Sequence, residues 1–225
     1  MTRAISFGLV VWALCGVWGP RLFAEAIAVA DARRPLDLPA ELERGEADPV
    51  SAPEAIEFYG TIREGDACIF CVERSEEFGA DPKFEAMKEE LRHAVQQLSR
   101  RTEFGIVAYY CGVIAFQPGP VFATPANKLA ATAFIDAMEG DGQSFPAYGG
   151  TEALRQAQQS SASGKFIVMV GYAHQCMPEQ ALIDIQDSNY QSTPIHTIVV
   201  GSTCDLFFFQ QLATTNGGSC ENLVD

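Results

Sequence analysis

The chain has 225 residues, 48% of them hydrophobic, and a formal net charge of −14. That length holds one domain of ordinary size with a substantial core, plus flanking segments. The charge excludes nucleic acid as a partner, because phosphate binding needs clustered Lys and Arg, and it excludes docking on anionic lipid headgroups.

The first residues carry the pattern of an export signal. Arg3 precedes an apolar run from Ala4 to Gly19 broken only by Ser6, and Ala24-Glu25-Ala26 fits a small-residue cleavage site. We assign residues 1–26 to a signal peptide and expect an exported protein, in the periplasm, at the cell surface or secreted. The run is shorter than the ~20 residues that span a bilayer, so an uncleaved leader would be the chain's one link to a membrane. Residues 27–56 hold Pro35, Pro39, Pro49, Pro53 and an acidic patch from Glu41 to Asp48, without sustained apolar periodicity. They read as a disordered linker, and 57–225 as the folded domain. Six Cys follow the leader: Cys68, Cys71, Cys111, Cys176, Cys204 and Cys220. An exported chain permits disulfides.

Ala55 to Gly60 suggests a short edge strand opening the domain. The unbroken apolar run Ala67 to Val72 predicts a strand buried on both faces. Lys83 to Arg101 carries Phe84, Met87, Leu91, Val95 and Leu98 at helical spacing. Glu103 to Cys111 is a second buried strand, and Val113 to Phe116 follows so closely that the two are expected to pair antiparallel. Thr124-Pro125 supplies an N-cap and a first-turn proline for a helix with a stripe of Leu129, Ala133, Phe134 and Met138. After Gly149-Gly150-Thr151 a short helix is predicted over 152–159. Phe166 to Val170 is a strand, 178–187 a helix, 194–200 a strand, 205–215 a helix closed by Asn216-Gly217-Gly218, and 220–224 a final strand. Strands alternating with helices predict an α/β fold: a Rossmann-like, three-layer α/β/α sandwich around a mostly parallel sheet with one antiparallel edge strand.

Several segments share their order and spacing with a known family. They are Phe58-Tyr59-Gly60, Gly65-Asp66, Glu103-Phe104-Gly105-Ile106-Val107-Ala108-Tyr109, Thr124-Pro125-Ala126-Asn127-Lys128, Gly149-Gly150-Thr151 and Ile195-His196-Thr197-Ile198-Val199-Val200-Gly201. With these the chain resembles a von Willebrand factor type A domain over about Phe58 to Val224, closest to the bacterial exported type. The resemblance implies a metal-ion-dependent adhesion site above the sheet. The family builds it from Asp-x-Ser-x-Ser after the first core strand, a Thr before a later helix, and an Asp after the fourth strand. Here those positions fall on Glu73, Ser75, Glu77, Thr151 and Gly171. Ser75 and Thr151 keep the family's residue type. Glu73 is a methylene too long, Glu77 replaces a hydroxyl, and Gly171 offers no side chain, so Glu73, Glu76 and Glu77 are read as a solvated loop. Magnesium demands near-ideal octahedral oxygens, and calcium, with looser geometry, would tolerate Glu73 and Glu77 better.

The expectation is therefore a non-enzymatic protein-binding module with a degenerate metal site and no cofactor. It would act through top-face loops 73–82, 141–151, 171–177 and 201–205, with Phe145, Tyr148 and Tyr172 as aromatic anchors. One alternative is a cation-dependent adhesion domain using Glu73, Ser75, Glu77 and Thr151 with Ca2+, Mg2+ or Mn2+. Another is a thiol enzyme using Cys176 with His174 nearby. A Cys176–Cys204 disulfide, stapling two top loops, is favoured over that thiol chemistry. Cys68 and Cys71 lie three apart on a strand, so their side chains point to opposite faces and cannot bond. His93 is expected at the surface. His196 is expected within a buried strand, with one ring nitrogen hydrogen-bonded.

Overall fold

The computed structural model describes residues 53–172, 174–201 and 205–223. The expected leader, 1–26, and nearly all of the linker lie outside that range. The described residues fall within one unit, Ala47–Asp225.

The core strand is β3 (Ala67–Glu73), in which every residue is buried. It pairs in parallel with β4 (Glu103–Tyr109) on one side and β7 (Lys165–Gly171) on the other. Beyond β7 come β8 (Ile195–Val199) and β9 (Cys220–Asn222), both parallel. Beyond β4 the edge turns antiparallel. It carries β5 (Val113–Ala115), as the sequence indicates, and also the two-residue β6 (Val121–Phe122). The sheet therefore runs β5-β4-β3-β7-β8-β9, with β6 off the path on β4. Residues 54–65 form a separate antiparallel hairpin, β1 (Glu54–Phe58) and β2 (Thr61–Gly65). The opening strand was thus legible, but it is not an edge of the main sheet. Its partner was not read from the sequence, because Ile62 and Arg63 sit among charges that obscure the alternation.

Strand alternation divides the core in two. Cys68, Phe70 and Val72 face one way, with Phe104, Ile106, Phe166 and Val168, beneath α2 (Pro82–Gln97), α3 (Pro125–Asp136) and the hairpin's Ile56 and Phe58. Ile69, Cys71, Val107 and Met169 face the other way, beneath α4 (Pro146–Ala157), α5 (Pro178–Ser188) and α6 (Leu206–Thr215). Cys68 and Cys71 thus lie in opposite layers as expected, each a free buried thiol. Burial pushes both thiols far above their ordinary pKa. Each fully buried Phe, such as Phe70, contributes roughly 2–3 kcal/mol through its removal from water.

Caps fix the helix starts. The Asp81 carboxylate accepts from Lys83 N at 2.8 Å ahead of Pro82, and Thr124 Oγ1 accepts from Asn127 N at 3.3 Å ahead of Pro125. The stripe expected on α3 is right in part. Phe134 packs against the core and Met138, just past the helix, is buried, but the buried residues of the helix itself are Ala131 and Ile135, while Ala133 is exposed and Leu129 is 73% exposed. Helix α4 starts at Pro146, six residues ahead of the expected start, because Pro146 fits a first helical turn and the Gly149-Gly150 pair continues the helix rather than preceding it. Packing explains those glycines. A Cβ on Gly149 would stand 2.7 Å from the Tyr109 ring, so the helix rides directly on that aromatic.

Candidate binding site

In open parallel sheets ligands gather at the carboxyl ends of strands where the chain reverses its winding direction. Here that point lies between β3 and β7. Glu73 ends β3 there, and the segment after Gly171 leaves β7 beside it.

Glu76 and Glu77 are exposed as a solvated loop requires, but Glu73 is fully buried, which corrects that reading for it; a carboxylate is uncommon there unless it is paired. Its Oε1 accepts the Ser75 hydroxyl at 2.6 Å. Its Oε2 accepts Tyr172 N–H at 2.9 Å and the Gln175 side-chain amide at 3.0 Å. The Tyr109 hydroxyl donates to Val170 O at 3.1 Å and stands 3.5 Å from Oε2. The longer Glu side chain thus reaches donors across the gap between β3 and β7.

Ser75 is also the N-cap of α1 (Glu76–Gly79), where its Oγ accepts from Phe78 N at 3.2 Å. Glu77 lies on α1 and is exposed. Thr151 is not in a loop. It sits in the second turn of α4, and its hydroxyl donates to Ala147 O at 2.7 Å within its own helix. The expectation that Thr151 precedes the helix is thereby corrected. At Gly171 the space for a side chain is filled: a Cβ there would stand 2.0 Å from the Phe209 ring of α6. The structure thus brings Glu73 and Ser75 together, leaves Glu77 at the rim, turns Thr151 back on its helix, and closes the fifth position with an aromatic ring.

The loops around this centre are tied by backbone bonds. Asp141 N donates to Arg74 O and Glu76 N to Gly142 O, both at 2.9 Å, and Cys176 N donates to Ser144 O at 2.7 Å. Ser144 Oγ donates to Gln175 Oε1 at 2.8 Å, which orients the Gln175 amide toward Glu73. Above them opens a cleft of about 540 Å³, walled in part by Ser75, Glu76, Glu77, Gln143 and Cys176.

Of the expected aromatic anchors, Tyr172 is structural. Its ring stacks on Phe78 with centroids 4.5 Å apart, and its hydroxyl donates to Asp81 Oδ2 at 2.6 Å. That bond pushes the phenol up to about 12 and holds the Asp81 carboxyl below its ordinary value. Tyr148 is 49% exposed and stacks on Phe145.

Cys176 carries a free thiol and donates to Gln143 Oε1 at 3.9 Å. The expected Cys176–Cys204 bond is therefore not formed from the Cys176 side, and Cys204 lies outside the described residues. Burial, with a smaller contribution from Glu73, raises the Cys176 pKa, the opposite of what an activated nucleophile requires. His174 Nδ1 lies 3.1 Å from Asp205 Oδ1, and Asp205 Oδ2 accepts Gln175 N–H at 2.8 Å. Asp205 thus orients His174, a pairing across 31 positions that the sequence did not reveal. No group of three or more His, Cys, Asp or Glu among the described residues is arranged to hold a metal ion.

The residues that matter most here and were missed are Tyr109, Gln175 and Phe209. The one local signal was a Tyr closing an otherwise apolar strand.

The model of the von Willebrand factor type A domain matches residues 67–221. Comparison with curated proteins returned no match. Among solved structures, the fold resembles a von Willebrand factor type A protein from Catenulispora acidiphila, at 15% identity and a TM-score of 0.66, covering 73% of this chain. The match spans 40% of that protein, well under its full length. An aerotolerance-related membrane protein from Bacteroides fragilis is similar at 13% identity and TM-score 0.57, over 71% of this chain and 92% of that one. BatB from Bacteroides thetaiotaomicron is similar at 13% identity and TM-score 0.56, over 72% and 91%. With the family model covering more than half of its length, this chain belongs to the von Willebrand factor type A domain family.

Proposed function

We propose that this protein is an exported, non-enzymatic protein-binding module that presents its top-face loops without a bound cation. The single observation that carries the reading is the Glu73 network. Both carboxylate oxygens accept hydrogen bonds from the protein, at 2.6 Å from Ser75, 2.9 Å from Tyr172 N and 3.0 Å from Gln175. A cation would have to displace these donors. It would then find no side-chain oxygen at Gly171, where Phe209 stands, and a Thr151 hydroxyl engaged elsewhere. The residues do not fit the oxygen cage that such an ion needs. Protein donors instead hold the loops that an ion would otherwise draw together.

Export is supported by the leader-like residues 1–26, and one similar structure is described as a membrane protein. Among the described residues no helix is long and apolar enough to cross a membrane. Met177 supports a recognition role for the loop after β7. It is 63% exposed and has a left-handed backbone with φ of 54°, a conformation costing about 1 kcal/mol for a residue with a side chain.

The test is thermal melting in chelator and with millimolar calcium, magnesium or manganese. The expected curves superimpose. A rise of several degrees with one ion, lost in Glu73→Gln, overturns the cation-free reading.

A further inference from the structure

The flank formed by α5 and α6 differs in charge from the rest of the chain. Neither helix holds a Lys or Arg, and together with Asp205 ahead of α6 they carry four carboxylates: Glu179, Asp184, Asp187 and Asp205. All 15 basic residues lie earlier in the chain. This anionic flank also has the most exposed aromatic ring of the described residues. Phe207, in the first turn of α6, is 77% exposed, and Ile183 on α5 is 53% exposed. Between the two helices runs a groove of about 380 Å³ with Leu182, Leu206 and Phe208 along it and Glu179 and Asp205 at its margins. Large apolar side chains held in water beside the carboxylates of Glu179 and Asp205, the latter 3.1 Å from the His174 ring, suit a surface that a partner covers.

We propose that this groove docks a cationic, amphipathic segment of a protein partner, its apolar side chain packed against Phe207 and Leu182 and its Lys or Arg side chains facing Glu179 and Asp205. Charge selects this occupant over the others. A second copy of the chain would bring the same carboxylates face to face. The chain's own segment from Glu41 to Asp48 is acidic and would be repelled. An anionic lipid surface is repelled in the same way. The proposal rests on the reading of the domain as a binding module and adds a location and a chemistry to it.

The probe is a 14-residue synthetic peptide with Leu on one helical face and Lys on the other. Its controls carry Glu for Lys, or Ser for Leu. Binding to the full chain is measured by calorimetry at low salt and in 0.5 M NaCl. The expected result is saturable 1:1 binding of the Leu/Lys peptide, weakened by salt, with neither control binding. Phe207→Ser and Glu179→Lys each weaken it at least tenfold; both positions are solvent-exposed, and unchanged melting curves verify the fold. Equal affinity in wild type and Phe207→Ser overturns the proposal, as does binding of the Ser/Lys control at the same strength. Sedimentation showing a dimer that Phe207→Ser dissociates assigns the groove to a second copy and overturns it too. The two readings fail separately. A partner captured from the envelope equally by wild type and Phe207→Ser sinks the groove and leaves the module. Failure of both proteins to capture any partner or to bind the peptide sinks both.

Discussion

Replacing Glu73 by Ala removes the acceptor for three donors within 3.0 Å, the Ser75 hydroxyl, Tyr172 N–H and the Gln175 amide. The site is fully buried, so water does not simply replace the carboxylate. Each stranded donor costs about 1–3 kcal/mol, and the recovered desolvation of the carboxylate offsets part of the sum. We expect a net loss of about 3–5 kcal/mol, a large share of the 5–15 kcal/mol typical of a folded domain. For a chain of this size that lowers the melting temperature by roughly 6–20 °C. Glu73→Gln keeps one oxygen and the shape, so it should fall between, at about 1–2 kcal/mol. The assay is thermal unfolding followed by circular dichroism, in chelator. The predicted order of stability is wild type, then Glu73→Gln, then Glu73→Ala. If the carboxylate were instead an ion ligand left uncompensated in chelator, removing it would leave the melting temperature unchanged or raise it. That outcome would refute the network argument, and the Gln variant remains informative should the Ala variant fail to fold.

Gly171→Asp should destabilise by more than about 3 kcal/mol, because its Cβ alone would stand 2.0 Å from the Phe209 ring, and it should gain no cation response. Adding Phe209→Ala should recover part of the overpacking loss, measured by melting the single and double variants. Native thiol labelling should modify the exposed Cys111 quickly, and Cys68 and Cys71 only after denaturant; fast native modification of either buried thiol would contradict their placement. Burial, and secondarily the charge of Arg63, lower the His196 pKa from 6.5 to about 4. The unfolded chain therefore binds more protons below pH 6.5, so stability is lost as pH falls from about 6.5 toward 4. The ring is only half-buried, which limits the effect to about 1–2 kcal/mol; His196→Asn should flatten the urea-midpoint profile over that window, and an unchanged slope would count against it.

The sheet was legible because its signals are local. The apolar run at 67–72 admits little but a strand buried on both faces, apolar spacing marks α2, and a cap followed by proline announces α3. His93 is exposed as expected, and His196 is half-buried, its Nδ1 accepting Ser219 N–H at 3.1 Å. What failed was phase and partnership. Leu129 reads as core by hydropathy but lies on the outer side of α3, where Ala131 and Ile135 fill the contact with α2. Thr151 keeps the residue type of the family's position while its hydroxyl serves its own helix. The site was half legible. Glu73 and Ser75 were placed by their distance from a strand end. Gln175, some 102 residues from Glu73, and Phe209, which occupies the space beside Gly171, are joined to them only by tertiary packing. No spacing rule in a single sequence encodes such a pairing.

The rims of the main sheet carry very short strands, β9 of three residues on one side, β5 of three and β6 of two on the other. Each of these strands therefore offers at most about 10 Å of ladder to an incoming chain, too little to template another strand. Copies of the chain at high concentration would have scant opportunity to zip into fibres through these rims. If the domain binds a partner as proposed, side chains on its loops and helices are left to do it, where single substitutions can retune the contact without disturbing the scaffold.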